Sequence, residues 1–107
     1  MATYDLYEIQ TASIADARNL LERLLSMPFL EHDSSFHRGA YFAAGQKGEE
    51  NFEIKVNRDP YEDVPNEDEY PDVKFLLYVN NTIRSSELNK IFADSHGMVN
   101  LLRHEEL

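Results

Sequence analysis

The sequence predicts an α+β domain of two layers in the order β-α-β-β-β-α, a mainly antiparallel sheet with its helices on one face. Three observations lead there. Apolar and polar residues alternate in "NFEIKVN", the period of a strand, and "DVKFLLYVNN" is a short apolar run that suits a strand covered on both faces. Between Ile14 and Leu25, and again from Leu88 onward, apolar residues recur at helical spacing instead. A chain of 107 residues makes one core, because two would each be too small to hold together unaided; residues 1–107 are therefore read as a single domain.

The elements follow in order. "TYDLYEIQ" is rich in aromatic and β-branched residues and reads as a strand, with Leu6 opposing Tyr7 and Ile9 so that both faces are partly covered. Ser13 and Asp16 have the spacing of a capping box in its Asp variant. Behind them Ile14, Ala17, Leu21, Leu24 and Leu25 form one stripe, widened by Leu20, while Asp16, Arg18, Glu22 and Arg23 take the other side and Pro28 ends the helix. "FHRGAYFAAG" is the second strand, and "QKGEEN" is a turn carrying Gly48. "NFEIKVN" puts Phe52, Ile54 and Val56 on one face and closes an antiparallel hairpin with its predecessor. The fourth strand, "DVKFLLYVNN", has Val73, Phe75, Leu77 and Val79 on one face but Leu76 and Tyr78 on the other, the mark of a central strand covered on both sides. Ser85 or Ser86 caps a final helix whose stripe runs through Leu88, Ile91, Phe92, Val99 and Leu102, with Gly97 in "DSHGMV" interrupting or kinking it. The first strand, first helix and next strand suit a right-handed crossover.

Composition narrows the function. Cysteine is absent, which removes disulfides and thiolate metal sites and fits a cytoplasmic setting. No window approaches the roughly 18 uninterrupted apolar residues of a membrane span, and "MATYDLYEIQ" has neither the basic nor the apolar region of a secretory signal. The formal charge of −10 repels nucleic acid and anionic membranes and attracts basic proteins. Nor do the bases gather into a strip that would hold nucleic acid. The charge is local: Asp59, Glu62, Asp63, Glu67, Asp68, Glu69 and Asp72 are seven acids with no base between them, so removing that −7 leaves −3 for the other 93 residues.

These acids lie in "RDPYEDVPNEDEYPD", residues 58–72, which joins the third strand to the fourth. Connections beyond about 12 residues are usually functional or disordered. Pro60, Pro65 and Pro71 stiffen this one, and Tyr61 and Tyr70 stand near its ends. Alternate side chains on an extended backbone are about 7 Å apart, so a row of carboxylates there loosely imitates a chain of phosphates and attracts a basic groove. The expected partner-binding residues are Glu62, Asp63, Glu67, Asp68, Glu69 and Asp72 for electrostatics, with Tyr61 and Tyr70 as anchors. The competing explanation is a loop that serves only solubility.

Sites for chemistry are weaker. Asp59, Asp63 and Glu69 are hard oxygen donors, yet the calcium-loop pattern of alternating acids, central glycine and twelfth-position glutamate is missing. "EHDSSFH" collects His32, Asp33, Ser34, Ser35 and His37, but on a strand His32 and His37 face opposite ways. His96 beside Gly97 reads as a helix-end group, and His104 in "RHEEL" likewise. Phe92 and Met98 read as core. The solvated run Glu67-Asp68-Glu69 lacks the asymmetry that separates an acid from a base, and no glycine-rich loop is arranged to cradle phosphate. The expectation is a protein with no catalytic residue, cofactor or metal. The alternatives are a small enzyme or metal-dependent module built on the His32–His37 region, and a structural or assembly subunit.

In size, acidity, lack of cysteine and the stretch "YEDVPNEDEYPD", the chain resembles the small single-domain immunity proteins of bacterial toxin–immunity systems, including contact-dependent inhibition systems. The resemblance implies a cytoplasmic inhibitor that binds a cognate toxin domain, often a basic nuclease, and blocks its active site or substrate groove.

Overall fold

All the described strands join one sheet. The computed structural model, which describes residues 2–34, 39–46, 48–59 and 62–106, contains β1 (Thr3–Ile9), β2 (Leu30–Ser34), β3 (Gly39–Gly45), β4 (Asn51–Val56), β5 (Phe75–Thr82) and β6 (Val99–Glu106), with helices α1 (Ile14–Leu25) and α2 (Ser85–Ala93). The strand order is β2-β3-β4-β5-β1-β6, and every neighbouring pair is antiparallel. Counting the reversals, β1 and β2 run parallel and α1 crosses between them. In the same way α2 connects β5 to β6, which flank β1. The α+β class, the antiparallel sheet and the helices on one face are as the sequence predicts.

The side chains explain the element ends. Ser13 caps α1 by accepting the Asp16 backbone N–H at 3.1 Å, and Ser26, at φ 54°, ends the helix before Pro28 is reached. Glu22 then accepts the Phe29 N–H at 2.7 Å, which turns the chain back toward the sheet. Gly45, at φ 87°, closes β3; a Cβ there would lie 2.5 Å from the Glu50 carbonyl oxygen, so no other residue fits.

Two elements differ from the sequence reading. Leu30–Ser34 is a strand of its own, paired with β3 from Leu30–Ala43 to Ser34–Gly39. It is an edge strand, so it needs no alternating apolar pattern, and Glu31 and His32 are typical of an edge. The expected strand "FHRGAYFAAG" begins at Gly39, and residues 35–38 of it lie outside the described residues.

The second difference is the C-terminus. The expected final helix stops at Ala93 and does not continue through Val99 and Leu102, which belong to β6. His96 (φ 58°) and Gly97 (φ 88°) are two successive left-handed residues, more than a helix can absorb as a kink. The chain leaves the helix there and pairs with the β1 edge from Ile9–Val99 to Thr3–Glu106. Ser95 Oγ accepts the Val99 N–H at 3.0 Å and holds this turn. The expected serine cap of α2 is also corrected. Arg84 is the N-cap and has no side-chain cap bond, while Ser85 donates its hydroxyl to Asp5 at 2.7 Å, because a fully buried carboxylate needs the donor more.

One face of the sheet carries the core. Tyr7 and Ile9, Phe42 and Ala44, Phe52 and Ile54, and Phe75, Leu77 and Val79 pack under Ala17, Leu20 and Leu21 of α1 and Leu88 and Phe92 of α2. Val56, expected on this face, is the last residue of β4 and stays 41% exposed. Tyr7 meets Phe92 edge-on with ring centroids 4.7 Å apart and donates its hydroxyl to Asn89 at 2.7 Å. Burial, then the nearby Asp5 charge, raises the Tyr7 phenol well above its ordinary pKa. Among the described residues no helix is long and apolar enough to cross a membrane.

Candidate functional site

The opposite face of the sheet, away from the helices, is where the acidic segment lies. Strand register builds this face in rows. One row runs Ala43, Glu53, Tyr78, Leu6, Arg103 across β3, β4, β5, β1 and β6; beside it, Lys55, Leu76 and Glu8 are neighbours. Leu6 is 1% exposed and Leu76 is fully buried, although among the described residues no helix covers this side. Their cover is the connection between β4 and β5.

Asn57 is the template for that cover. It is 6% exposed, and its amide nitrogen donates to the carbonyls of Tyr70 and Val73 at 2.8 Å each, while its oxygen accepts the Glu67 N–H at 2.9 Å. One side chain thus folds the acidic segment back on the strand it has just left. Glu67 then reaches over the sheet: it accepts the Tyr78 hydroxyl at 2.6 Å and pairs with Arg103 at 3.1 Å. Tyr78 and Arg103 are the two cross-strand neighbours of Leu6, so these bonds arch over it. Tyr70 donates its hydroxyl to the Leu102 carbonyl at 2.9 Å. Leu102 is the extra residue of a bulge opposite Leu6 and Tyr7, and Tyr70 takes the place of its missing ladder partner.

The predicted contact residues therefore separate into two groups. Glu67 and Tyr70 face inward and hold the segment down. Glu62, Asp63, Asp68, Glu69 and Asp72 are exposed. Asp63 is paired with Arg58, and among the described residues no salt bridge engages Glu62, Asp68, Glu69 or Asp72. Tyr61 and Pro60 lie outside the described residues. Asp59 is buried; its N–H donates to the Val64 carbonyl at 2.8 Å, and its own carbonyl accepts the Asp63 N–H at 2.9 Å. The negative charge is therefore displayed from an anchored surface. Burial, with the adjoining Glu67 carboxylate, raises the Tyr78 phenol well above its usual pKa, which keeps it a donor to Glu67 across the physiological range.

Beyond the covered half the face is open. Tyr4, Tyr41, Glu53 and Asn80 line a trough of about 480 Å³ together with Ala43, Gly45 and Asn51. His32 stacks on Tyr41 with centroids 5.3 Å apart, and the Lys55 ammonium sits over the rings of Tyr41 and Tyr78 at 5.6 and 5.0 Å. Desolvation, then the Glu53 charge, raises the Tyr41 phenol.

Ser35 and His37 lie outside the described residues, as do the side chains of Asp33 and Ser34. Of the calcium candidates, Asp59 is buried in the turn and Asp63 is on Arg58, while Glu69 stands exposed. Among the described residues no three His, Asp or Glu side chains converge on a possible metal position. His104 joins a separate polar chain: its Nδ1 meets Asp5, which accepts the Ser85 hydroxyl, and Ser85 Oγ lies 2.6 Å from Thr3 Oγ1. Asp5 and then Glu106 raise the His104 pKa.

Sequence reasoning missed Asn57, Arg103 and the trough. Asn57 reads as the polar last residue of a strand, and a helical stripe that runs to Leu102 leaves Arg103 no place on a sheet. The trough depends on β3, β4 and β5 lying side by side, and tyrosine spacing alone does not encode that. No protein-family model, curated protein or solved structure matches the chain.

Proposed function

We propose that this chain is a protein–protein inhibitor that captures and neutralises a basic partner in the cytoplasm. The reading rests on one observation. Glu62, Asp68, Glu69 and Asp72 project to solvent from a segment tied to the sheet through Asn57, Glu67 and Tyr70. An anionic surface fixed before binding loses little conformational freedom when it docks. Its field draws a cationic surface in, and such steering lifts association rates to about 10⁸ M⁻¹s⁻¹ or beyond at low salt. A nuclease groove, built to hold phosphates, is a suitable target. The resemblance to immunity proteins supports a toxin domain as that partner.

The test is kinetic. The product of the adjacent gene is purified, and its association with the chain is followed by stopped flow from low to high salt. Replacing Glu62, Asp68, Glu69 and Asp72 by their amides should slow association about ten-fold or more at low salt and flatten the salt dependence. Equal rates for the wild type and the neutralised form would reject this surface as the point of contact.

A further inference from the structure

The open trough and the anchored segment are parts of one face. Glu67 holds Tyr78, and Tyr78 is the direct cross-strand neighbour of Glu53 in the trough. Resting on the proposed basic partner, we infer that the trough is an arginine subsite, occupied by an arginine side chain of that partner while the loop carboxylates meet the bases around it.

The chemistry of the lining selects the occupant. Glu53 is the only Asp, Glu, Lys or Arg among the described lining residues. Asn80 donates its amide N–H groups to Asn51 Oδ1 at 3.0 Å and to Glu53 Oε1 at 3.1 Å. Both donors are thereby committed, and the Asn80 amide is left with its oxygen as an acceptor. A carboxylate beside an oriented carbonyl matches the forked donors of a guanidinium better than the single point of an ammonium. Ala43 and Gly45 keep the floor low, so a long aliphatic stem can lie flat between the Tyr4 and Tyr41 walls. Lys55, seated over Tyr41 and Tyr78, shows that the adjoining rings already accommodate a cation.

The experiment is an amide-resolved NMR titration of the whole chain with a blocked hexa-arginine peptide and, separately, with hexalysine. The expected result is that hexa-arginine moves the amides of Ala43, Glu53 and Asn80 along with those of Glu62, Asp68 and Glu69. Glu53→Gln should then weaken the peptide about ten-fold, the scale of one charge-assisted hydrogen bond. Equal trough shifts with hexalysine, or unchanged affinity in Glu53→Gln, would overturn the arginine assignment. Shifts confined to the loop would overturn the subsite and leave the loop reading standing; shifts confined to the trough would do the reverse. No shift at either place overturns both.

Discussion

If Asn57 is the template of the acidic segment, removing its side chain should release the segment without touching a single charge. Asn57→Ala deletes two hydrogen bonds to the Tyr70 and Val73 carbonyls and one from the Glu67 N–H. At about 0.5–1.5 kcal/mol net for each bond, the loss is about 1.5–4.5 kcal/mol, and groups that stay dry push it to the upper end. Domains of this size hold only about 5–15 kcal/mol in total, so the variant should remain folded but unfold at clearly lower urea. Hydrogen exchange locates the effect. The Glu67 amide should lose its protection, while amides of the β4–β5 ladder such as Ile54 and Leu77 should change only with global stability. A loss below about 1 kcal/mol with Glu67 still protected would mean that the segment is held by something other than Asn57, and the account of the site would fail.

Three further outcomes follow from the same contacts. Leu6→Ala, beneath the arch of Glu67, should cost about 2–5 kcal/mol by urea denaturation, as for a core leucine; a value below 1 would show that this face is not sealed. Arg84→Gln removes the guanidinium that holds Glu50 at 2.7 Å, and this partly exposed pair is worth about 1 kcal/mol at neutral pH. The Arg84 hydrogen bonds, foremost among the causes, lower the Glu50 pKa, so its contribution is present above the unfolded carboxylate value of about 4.3 and is lost as pH falls through the lower folded value. The difference between Arg84→Gln and wild type should therefore narrow on acidification. His104 has the opposite sign. Asp5 and Glu106 face it and raise its pKa, so its stabilisation is complete below about pH 6.5 and lost as pH rises through the raised folded value. His104→Gln should flatten that part of the stability–pH curve, and exchange at Leu101 and Arg103 on β6 reports whether the strand edge loosens with it.

The legible parts of the fold are those where local pattern and tertiary need agree. Phe52 and Ile54 alternate because β4 has one core face, and Leu76 and Tyr78 mark a second covered face of β5 in the sequence itself. The illegible parts depend on distant partners. "VNLLRHEE" has apolar residues at Val99 and Leu102 that suit a helix, yet the open edge of β1 outcompetes helical propensity once His96 and Gly97 turn the chain. The acidity of residues 58–72 was plain from composition, whereas the inward role of Glu67 requires Tyr78 and Arg103 to be neighbours across Leu6. No local rule distinguishes Glu67 from Glu69.

That distinction separates recognition from mere solubility. Covering Leu6 and Leu76 requires Glu67, Tyr70 and Asn57, but it places no demand on the outward residues beyond tolerance of water. Like charges held close on an ordered segment repel one another, and ordering the backbone itself costs about 1–2 kcal/mol per residue. A loop kept only to solubilise the chain would carry the same acids without needing them fixed. If the outward acids serve a partner, Glu62, Asp68, Glu69 and Asp72 are dispensable for folding. Their joint replacement by amides should leave stability within about 0.5 kcal/mol in total, or raise it slightly as repulsion is relieved. The variant that associates slowly with its partner should thus melt no earlier than wild type. Should it melt earlier by several degrees, the exposed carboxylates are part of the scaffold, and their arrangement on the surface ceases to speak for a cationic partner.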